Sequence, residues 1–402
     1  MEESPIFSSK QGVTFLRTVF NGLNTLAGLG ILSVPYALAV GGWLTLSLFI
    51  LIAVICFYTG ILLKRCMDSN SFIRTYPDIG ELAFGLKGKI LVATFMYLEL
   101  YLVSIEFLVL EGDNLAKLFP FKSWNLFGLM KIGGKQGFVL IAAFIVLPTT
   151  WMRNMSVLAY VSFGGVLSSL ILVVCIIWSG VDDGVGFNER GTLLDWNGIP
   201  TALSLFVFCY SGHAVFPTIY TSMRDKSQFS KMMVICFTLG TMCFSTVAIT
   251  GYMMYGQNVN SQITLSLPTE KISSKIAIYT TIITPLTKYA LLITPVANAL
   301  EEMFGVSKNR TVSLLLRTLL VISTTIAALI LPFFGYLSAL TGSFLSTTAS
   351  VLLPCICYLK ISKDPKTKFG FEKFIIVVII MFGVCVAIMG TYISGRQLIT
   401  SL

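Results

Sequence analysis

Long apolar runs constrain this chain more than any other feature of its sequence. Runs of about 20 residues, the length of a helix that crosses a bilayer, recur from one end of the chain to the other. They lack the strict alternation that is typical of membrane β-strands. Only 12% of the 402 residues are charged, against about a quarter in a soluble domain, which leaves too little polar surface to face water. We therefore predict an all-α membrane protein.

The apolar runs predict about eleven transmembrane helices. The predicted spans are 14–38, 43–66, 90–112, 136–152, 155–179, 198–222, 231–255, 274–303, 311–333, 335–359 and 373–394. No linker is rich enough in Pro, Gly or Ser to separate a soluble domain. We therefore predict one transmembrane domain over 14–395, between a short N-terminal tail (1–13) and a short C-terminal tail (396–402).

Basic residues in the connections predict the orientation of the chain. With the N-terminus in the cytosol, about 19 Lys and Arg residues fall on the cytosolic side and about 8 on the other. An odd number of spans then places the C-terminal tail in the lumen or outside the cell. The net charge of +9 comes from these helix ends and not from a basic patch with interleaved aromatic residues, which argues against nucleic acid as a partner.

The sequence carries no signature of an enzyme. It has no phosphate-binding loop, no cluster of metal ligands, and no nucleophile with a matching His and acid. Eight of the nine cysteines lie inside apolar runs, and their spacing fits neither a disulfide framework nor a zinc site. We therefore predict neither catalysis nor a bound metal or cofactor.

Two spans contain matching helix-breaking residues. Gly30 is followed five residues later by Pro35, and Gly212 is followed five residues later by Pro217. Each pair opens a set of five predicted spans. Glycine and proline in a helix interior cost about 1 and 3 kcal/mol relative to alanine, and freed backbone groups in hydrocarbon need new partners. Close packing between helices would explain one such glycine. Matching breaks in two halves indicate a transporter site between inverted repeats.

Carboxylates lie within the third predicted span, where ionisable side chains are costly and usually functional. Glu99 and Glu106 are seven residues apart, so they share one face of the helix. Glu111 and Asp113 follow near the end of the span, where we expect them to be interfacial.

Two basic side chains lie in other spans. Lys288 shares a polar stripe of the eighth span with Thr281 and Thr284, close to the membrane midplane. Its ammonium is either half of a structural ion pair or a coupling group. His213, the only histidine, lies within the second break. Its imidazole could exchange protons near neutral pH, or it could simply hydrogen-bond a neighbouring carbonyl.

Several stretches of the chain together form a recognisable pattern. They are Gly28–Ala37, Tyr210–Pro217, Glu106 with Leu110–Asn114, and Leu286–Ala290 followed by Thr294 and Pro295. The first three resemble the amino acid/auxin permease family. The last narrows the resemblance to the plant vacuolar amino acid transporter branch, within the amino acid–polyamine–organocation superfamily. The resemblance covers residues from about 14 to 395.

The resemblance implies a fold and a mechanism. It implies eleven helices, arranged as a 5+5 inverted repeat with broken helices 1 and 6 plus one extra helix. It also implies secondary active transport of neutral amino acids, with a proton as the coupling ion and no other cofactor. Sodium-coupled relatives hold their ion between the first and eighth helices, where Asn24 aligns with a ligand and Lys288 stands near the partner position. A fixed ammonium there would repel and replace sodium.

The resemblance further implies candidate site residues. The candidate substrate-binding residues are Asn24, Thr25, Gly28, Gly30, Tyr101, Tyr210, Ser211 and Gly212. The candidate proton-coupling residues are Lys288, Glu106 and His213. The partners expected for this protein are an amino acid and the lipid bilayer, with the protein a monomer. We expect the vacuolar membrane as its location, with the plasma membrane as the alternative. A membrane sensor of amino acids on a transporter fold, or a channel, remains the alternative function.

Overall fold

A computed structural model describes residues 12–121, 123–126, 130–151, 158–306, 309–362 and 370–401. The helices are α1 (Phe15–Leu26), α2 (Gly30–Gly41), α3 (Thr45–Asp68), α4 (Tyr76–Leu118), α5 (Gly134–Thr150), α6 (Leu158–Val181), α7 (Ile199–Cys209), α8 (Phe216–Ser222), α9 (Phe229–Tyr255), α10 (Ile272–Met303), α11 (Arg310–Ile330), α12 (Phe334–Leu340), α13 (Leu353–Ile361) and α14 (Phe371–Ser401). Short 3₁₀ turns lie at Lys226–Gln228, Gly256–Asn258 and Ile263–Leu265. Most of the predicted N-terminal tail and part of the connection at 152–157 lie outside the described residues.

These helices confirm the predicted membrane architecture. Within the described residues, eight helical segments are long and apolar enough to cross a membrane, and the bent pair α1–α2 makes a ninth. The shorter apolar helices α5 and α7, the latter continued by α8, complete a set that agrees with about eleven spans. The prediction missed one feature, an antiparallel hairpin of β1 (Ser123–Leu126) and β2 (Met130–Gly133) between the third and fourth spans.

The two predicted breaks are present. The first break is Ala27–Leu29, between α1 and α2, whose axes differ by 46°. The second break is Tyr210–Val215, between α7 and α8. Pro217 is the second residue of α8, where proline displaces no intrahelical hydrogen bond. Pro35 lies inside α2.

The helix that contains the third span begins earlier than the apolar run. With 43 residues, α4 would be about 65 Å long if it were straight, far more than a bilayer requires. It is interrupted at Gly85, whose φ of 67° and ψ of −156° suit glycine better than other residues. Lys89 pairs with Glu81 across this bend at 2.8 Å. The membrane-crossing part is therefore the segment after Gly85.

The tenth span is wound irregularly. Between α12 and α13, the segments Thr341–Ser346 and Thr348–Leu352 are π-helical. Such turns are rare and are frequent at functional sites. Two of their hydroxyl-bearing residues, Thr341 and Ser346, bond carboxylates of the third span, as described below.

The helices pack as two groups joined by two further spans. The bundle group contains α1, α2, α3, α7, α8 and α9, which are the first, second, sixth and seventh spans. The scaffold group contains α4, α5, α10 and α11, which are the third, fourth, eighth and ninth spans. The fifth span, α6, packs on α1, α9 and α10, whereas the tenth span packs on α7, α3 and α4. Exchanging spans 1, 2, 3 and 5 with spans 6, 7, 8 and 10 converts one set of contacts into the other.

A buried ion pair holds the scaffold group together. The Arg317 guanidinium of α11 donates to the Glu301 carboxylate of α10 at 2.8 Å and to the Asn298 side chain at 2.7 Å. It also donates to the Thr150 carbonyl of α5 at 2.9 Å. A guanidinium can serve three helices in this way because its donors point in fixed, separate directions.

Candidate functional site

Lys288 joins the eighth span to the first break. Its ammonium donates to the carbonyl oxygen of Asn24 at 3.1 Å and to that of Ala27 at 2.9 Å. In a continuous helix the Asn24 carbonyl would accept from the Gly28 N–H, but that N–H donates to the Leu26 carbonyl at 2.7 Å. The carbonyls at the end of a helix carry its negative partial charge. The buried lysine therefore supplies the donors that the break removes.

The fifth span approaches the same point through a glycine. A Cβ atom on Gly165 would lie 1.9 Å from the Asn24 side-chain oxygen and 3.2 Å from the Lys288 Cε. A side chain at this position would displace the Asn24 side chain, so glycine lets α6 pass close to the end of α1. The sequence prediction missed Gly165, because a glycine in an apolar run is usually a packing residue.

A partly open cavity lies beside the first break. Its lining residues are Ala27, Gly28, Leu29, Ile31, Leu32, Phe107, Leu110, Ser168, Ser169, Leu172, Thr280, Thr281, Thr284 and Pro285. None of these side chains is charged. Thr284 is one helical turn from Lys288, so the cavity ends close to the ammonium.

Two of the candidate glycines have different surroundings. A Cβ atom on Gly28 would meet only the Leu26 carbonyl oxygen, at 4.0 Å, so this backbone faces open space beside the cavity. A Cβ atom on Gly30 would lie 2.6 Å from the Cys209 Cα at the end of α7. The Cys209 thiol also donates to the Gly30 carbonyl at 3.4 Å. Gly30 therefore lets the first and sixth spans touch, whereas Gly28 leaves backbone accessible.

The end of α1 meets the second break through Thr25 and Gly212. A Cβ atom on Gly212 would lie 3.2 Å from the Thr25 methyl group. The Thr25 hydroxyl donates to the Asn21 carbonyl within its own helix at 2.8 Å. The structure therefore brings these two predicted residues together by packing.

Tyr210 and Ser211 point in different directions. The Tyr210 hydroxyl donates to the Thr241 hydroxyl of α9 at 2.8 Å, so only the backbone of Tyr210 belongs to the second break. The Ser211 hydroxyl donates to the buried carboxylate of Glu99 on α4. The Ser346 hydroxyl of the tenth span donates to the same carboxylate oxygen at 2.6 Å. The prediction did not place Glu99 among the site residues.

The remaining candidates lie around the breaks. The buried His213 Nε2 is 2.9 Å from the Thr59 hydroxyl and 3.1 Å from the Cys56 carbonyl, both on α3. The contact with Cys56 corresponds to one of the two roles predicted for His213, a hydrogen bond to a neighbouring carbonyl. Glu106 accepts hydrogen bonds from the Ser338 and Thr341 hydroxyls of the tenth span, at 2.9 and 2.7 Å.

Tyr101 and the outer carboxylates occupy separate contacts. Tyr101 donates to the Ser323 hydroxyl of α11 at 2.9 Å, within the scaffold group. Asp113 pairs with Lys135 at 2.5 Å, as an interfacial carboxylate can. Glu111, also expected to be interfacial, is instead buried. Among the residues that the structure describes, no group of His, Cys, Asp and Glu side chains could hold a metal ion.

Comparisons with known proteins agree with this architecture. A family model described as "Transmembrane amino acid transporter protein" matches residues 11–395. The Arabidopsis thaliana protein "Amino acid transporter AVT1I" is 50% identical over 391 residues, covering 97% of this chain and 96% of the relative. "Amino acid transporter AVT1J" from the same plant is 49% identical over 395 residues, covering 98% and 93%.

A solved structure shows the same fold. The crystal structure of MhsT in complex with L-phenylalanine matches with a TM-score of 0.59 at 13% identity, covering 94% of this chain and 99% of that one. At this identity the likeness concerns the fold alone. The sequence relatives and the family match confirm the predicted family, which is a family of transporters and not of enzymes. The chain belongs to the family of transmembrane amino acid transporters.

Proposed function

We propose that the protein is a proton-coupled secondary transporter of neutral amino acids, with its substrate at the first break and its proton on Lys288. The observation that carries this proposal is the pair of hydrogen bonds from the Lys288 ammonium to the Asn24 and Ala27 carbonyls. They place the eighth span's only buried cation against the unwound part of the first span, beside the cavity that Ala27, Gly28 and Leu29 help to line.

The cavity suits a zwitterion with an uncharged side chain. Backbone N–H groups at the start of α2 lack helical partners, and they lie at the positive end of the helix dipole, where a carboxylate is favoured. Phe107, Leu110 and Leu172 offer apolar surface for the substrate side chain, whereas Ser168 and Thr284 offer hydroxyls. Because the described residues of the lining include no charged side chain, a cationic or anionic substrate side chain would lose its hydration there without compensation.

The ammonium supports protons rather than sodium as the coupling ion. It lies between the first and eighth spans, where the resemblance expects the ion of sodium-coupled relatives. The two carbonyls offset the cost of keeping a charge in the membrane, which is roughly 2.5–3.5 kcal/mol for lysine at a helix centre. When α1 moves away, that compensation is lost and the lysine releases its proton. Release of the proton is thereby tied to opening of the first span.

The remaining parts of the proposal concern the membrane. The excess of basic residues on one side supports a cytosolic N-terminus. We place the protein in the vacuolar membrane, with the plasma membrane as the alternative, and as a monomer. An amino acid sensor would bind substrate without transporting it, and a channel would pass ions without a pH gradient.

Proteoliposomes test the function directly. We expect uptake of labelled neutral amino acids to follow an imposed pH gradient, and to be unchanged when sodium is replaced by N-methyl-D-glucamine. A pH gradient of each sign will distinguish symport from antiport. A strict sodium requirement would contradict the role of Lys288. Binding without flux would identify a sensor, and ion current without substrate would identify a channel.

A further inference from the structure

A second buried ionisable side chain repeats the arrangement of Lys288 in the other half of the protein. Lys288 reaches from the eighth span to the break of the first span. Glu99 reaches from the third span to the break of the sixth span, where it accepts the hydrogen bond of Ser211. We propose that Glu99 is a second coupling residue, which holds the second break as Lys288 holds the first.

The inverted repeat relates the two contacts to one another. Exchanging spans 1, 3 and 5 with spans 6, 8 and 10 maps the helices around Lys288 onto the helices around Glu99. The third partner follows the same rule. Gly165 of the fifth span lies against Lys288 and its break, and Ser346 of the tenth span bonds Glu99 at 2.6 Å. Each ionisable group therefore sits among three helices in equivalent positions of the two repeats.

Both contacts cross between the groups that must move apart. Transporters of this architecture work by rocking one helix group against the other. The Lys288 bonds join α10 of the scaffold group to α1 of the bundle group, and the Glu99–Ser211 bond joins α4 of the scaffold group to the break beyond α7. Glu106, on the same helix as Glu99, bonds only hydroxyls of the tenth span in the described structure. Glu99 therefore bonds a residue of the second break, whereas Glu106 does not.

The surroundings of Glu99 allow its charge to act as a switch. The facing elements present hydroxyl donors, and Glu99 has no ion-pair partner among the described residues. The nearby titratable groups are Glu106 and Tyr76 on its own helix and His213 in the second break, where the imidazole bonds α3 instead.

Binding a proton changes what the carboxylate can do. An ionised carboxylate only accepts hydrogen bonds, and it holds hydroxyls more strongly than a neutral acid does. One proton from water converts one oxygen of Glu99 into a donor. Its hold on Ser211 then weakens to that of a neutral hydrogen bond, and the second break is released. The proton returns to water when the break closes again.

The experiment compares Glu99→Gln with wild type and with Lys288→Met in proteoliposomes. The probe is the labelled neutral amino acid that the wild-type protein accumulates best from a panel. This inference rests on the proposed proton coupling. For Glu99→Gln we expect accumulation driven by a pH gradient to fall at least about tenfold, the factor that loss of one charge-assisted hydrogen bond predicts. Exchange at equal pH on both sides should persist, with a flatter pH profile than wild type.

A matched pair of serine variants provides the second measurement. Ser211→Ala and Ser346→Ala each remove one hydroxyl from the same oxygen of Glu99, but only Ser211 belongs to a break. We expect Ser211→Ala to change the pH profile of exchange more than Ser346→Ala does, because only Ser211 links the carboxylate to the break that moves. If Glu99→Gln does not fold, the two serine variants alone test whether Glu99 is a coupling residue.

The possible failures can be separated. If wild type follows the pH gradient and Glu99→Gln behaves like wild type, or slows exchange by one factor at every pH, Glu99 is structural and the inference falls alone. Equal effects of the two serine variants would also overturn it. If uptake by wild type does not respond to the pH gradient, both the proposed function and this inference are wrong.

Discussion

Replacing Lys288 with methionine removes the ammonium while keeping the length of an unbranched, apolar side chain. The ammonium donates two hydrogen bonds to carbonyls of the first span. Bonds to charged groups contribute about 1.5–3 kcal/mol each, so the two together contribute about 3–6 kcal/mol. Against this stands a cost of roughly 2.5–3.5 kcal/mol for placing the ammonium in the membrane. The difference, roughly 0–3 kcal/mol, favours the state in which α1 is docked on α10.

Two consequences of this difference can be measured. Because the contributions largely cancel, the melting temperature of Lys288→Met in detergent should stay close to that of wild type. The equilibrium between docked and released α1 should shift towards release by up to about a hundredfold, since 1.4 kcal/mol is a factor of ten. Gradient-driven accumulation should be lost because the group proposed to carry the proton at the first break is gone, whereas exchange at equal pH should continue slowly.

Lys288→Arg separates charge from proton exchange. Arginine keeps the positive charge but does not deprotonate in proteins, so it should also lose accumulation. The assay is uptake into proteoliposomes with and without a pH gradient, together with thermal melting of each variant. If Lys288→Met still concentrates an amino acid against its gradient, the reasoning is wrong and Lys288 is structural. A large fall in melting temperature would likewise show that its bonds serve folding more than coupling.

Two further predictions follow from packing around the breaks and the scaffold. Gly28→Ala should fold normally but lower the transport rate, because its methyl group would enter open space beside the cavity. Gly30→Ala should lose about 1–3 kcal/mol of stability, because its methyl group would meet Cys209. Melting curves measured beside uptake rates will separate the two effects. Arg317→Met should destabilise the protein by about 3–5 kcal/mol, because it removes the buried guanidinium that bonds the Glu301 carboxylate and the Thr150 carbonyl. Thermal melting checks this prediction, and unchanged stability would contradict it.

The apolar runs predict the spans well, but they miss irregular helix geometry. The third span was predicted to begin at residue 90, whereas α4 begins at Tyr76 and bends at Gly85. Charged residues near this bend end the apolar run although the helix continues. The π-helical turns of the tenth span were also missed, because hydrophobicity carries no information on helical hydrogen-bond register.

The breaks could be predicted from glycine and proline spacing, but the direction of each side chain could not. A lysine at the midplane needs carbonyl partners, and membrane proteins offer free carbonyls where a helix is unwound. The contact of the Lys288 ammonium with the first break therefore follows from the sequence. Tyr210 lies at the edge of a break, where backbone geometry is irregular, and its hydroxyl turns towards Thr241 instead. Helical spacing puts Glu99 and Glu106 on one face but does not say which lies level with the second break.

The opposite charges of Lys288 and Glu99 follow from where each reaches its break. Lys288 meets the end of α1, where carbonyls without donors attract a cation. Glu99 meets the residues beyond the end of α7, where the Ser211 hydroxyl offers a hydrogen for an anion to accept. The two repeats therefore have this contact at equivalent positions. The local backbone determines whether the ionisable side chain is a cation or an anion. When both groups are ionised, the scaffold group presents one positive charge to the end of α1 and one negative charge to the second break. A single proton leaving Lys288 or binding Glu99 removes one of the two charged contacts, so protonation weakens the second break and deprotonation weakens the first. The two breaks would thus respond oppositely to pH, as a transporter that opens to one side at a time requires.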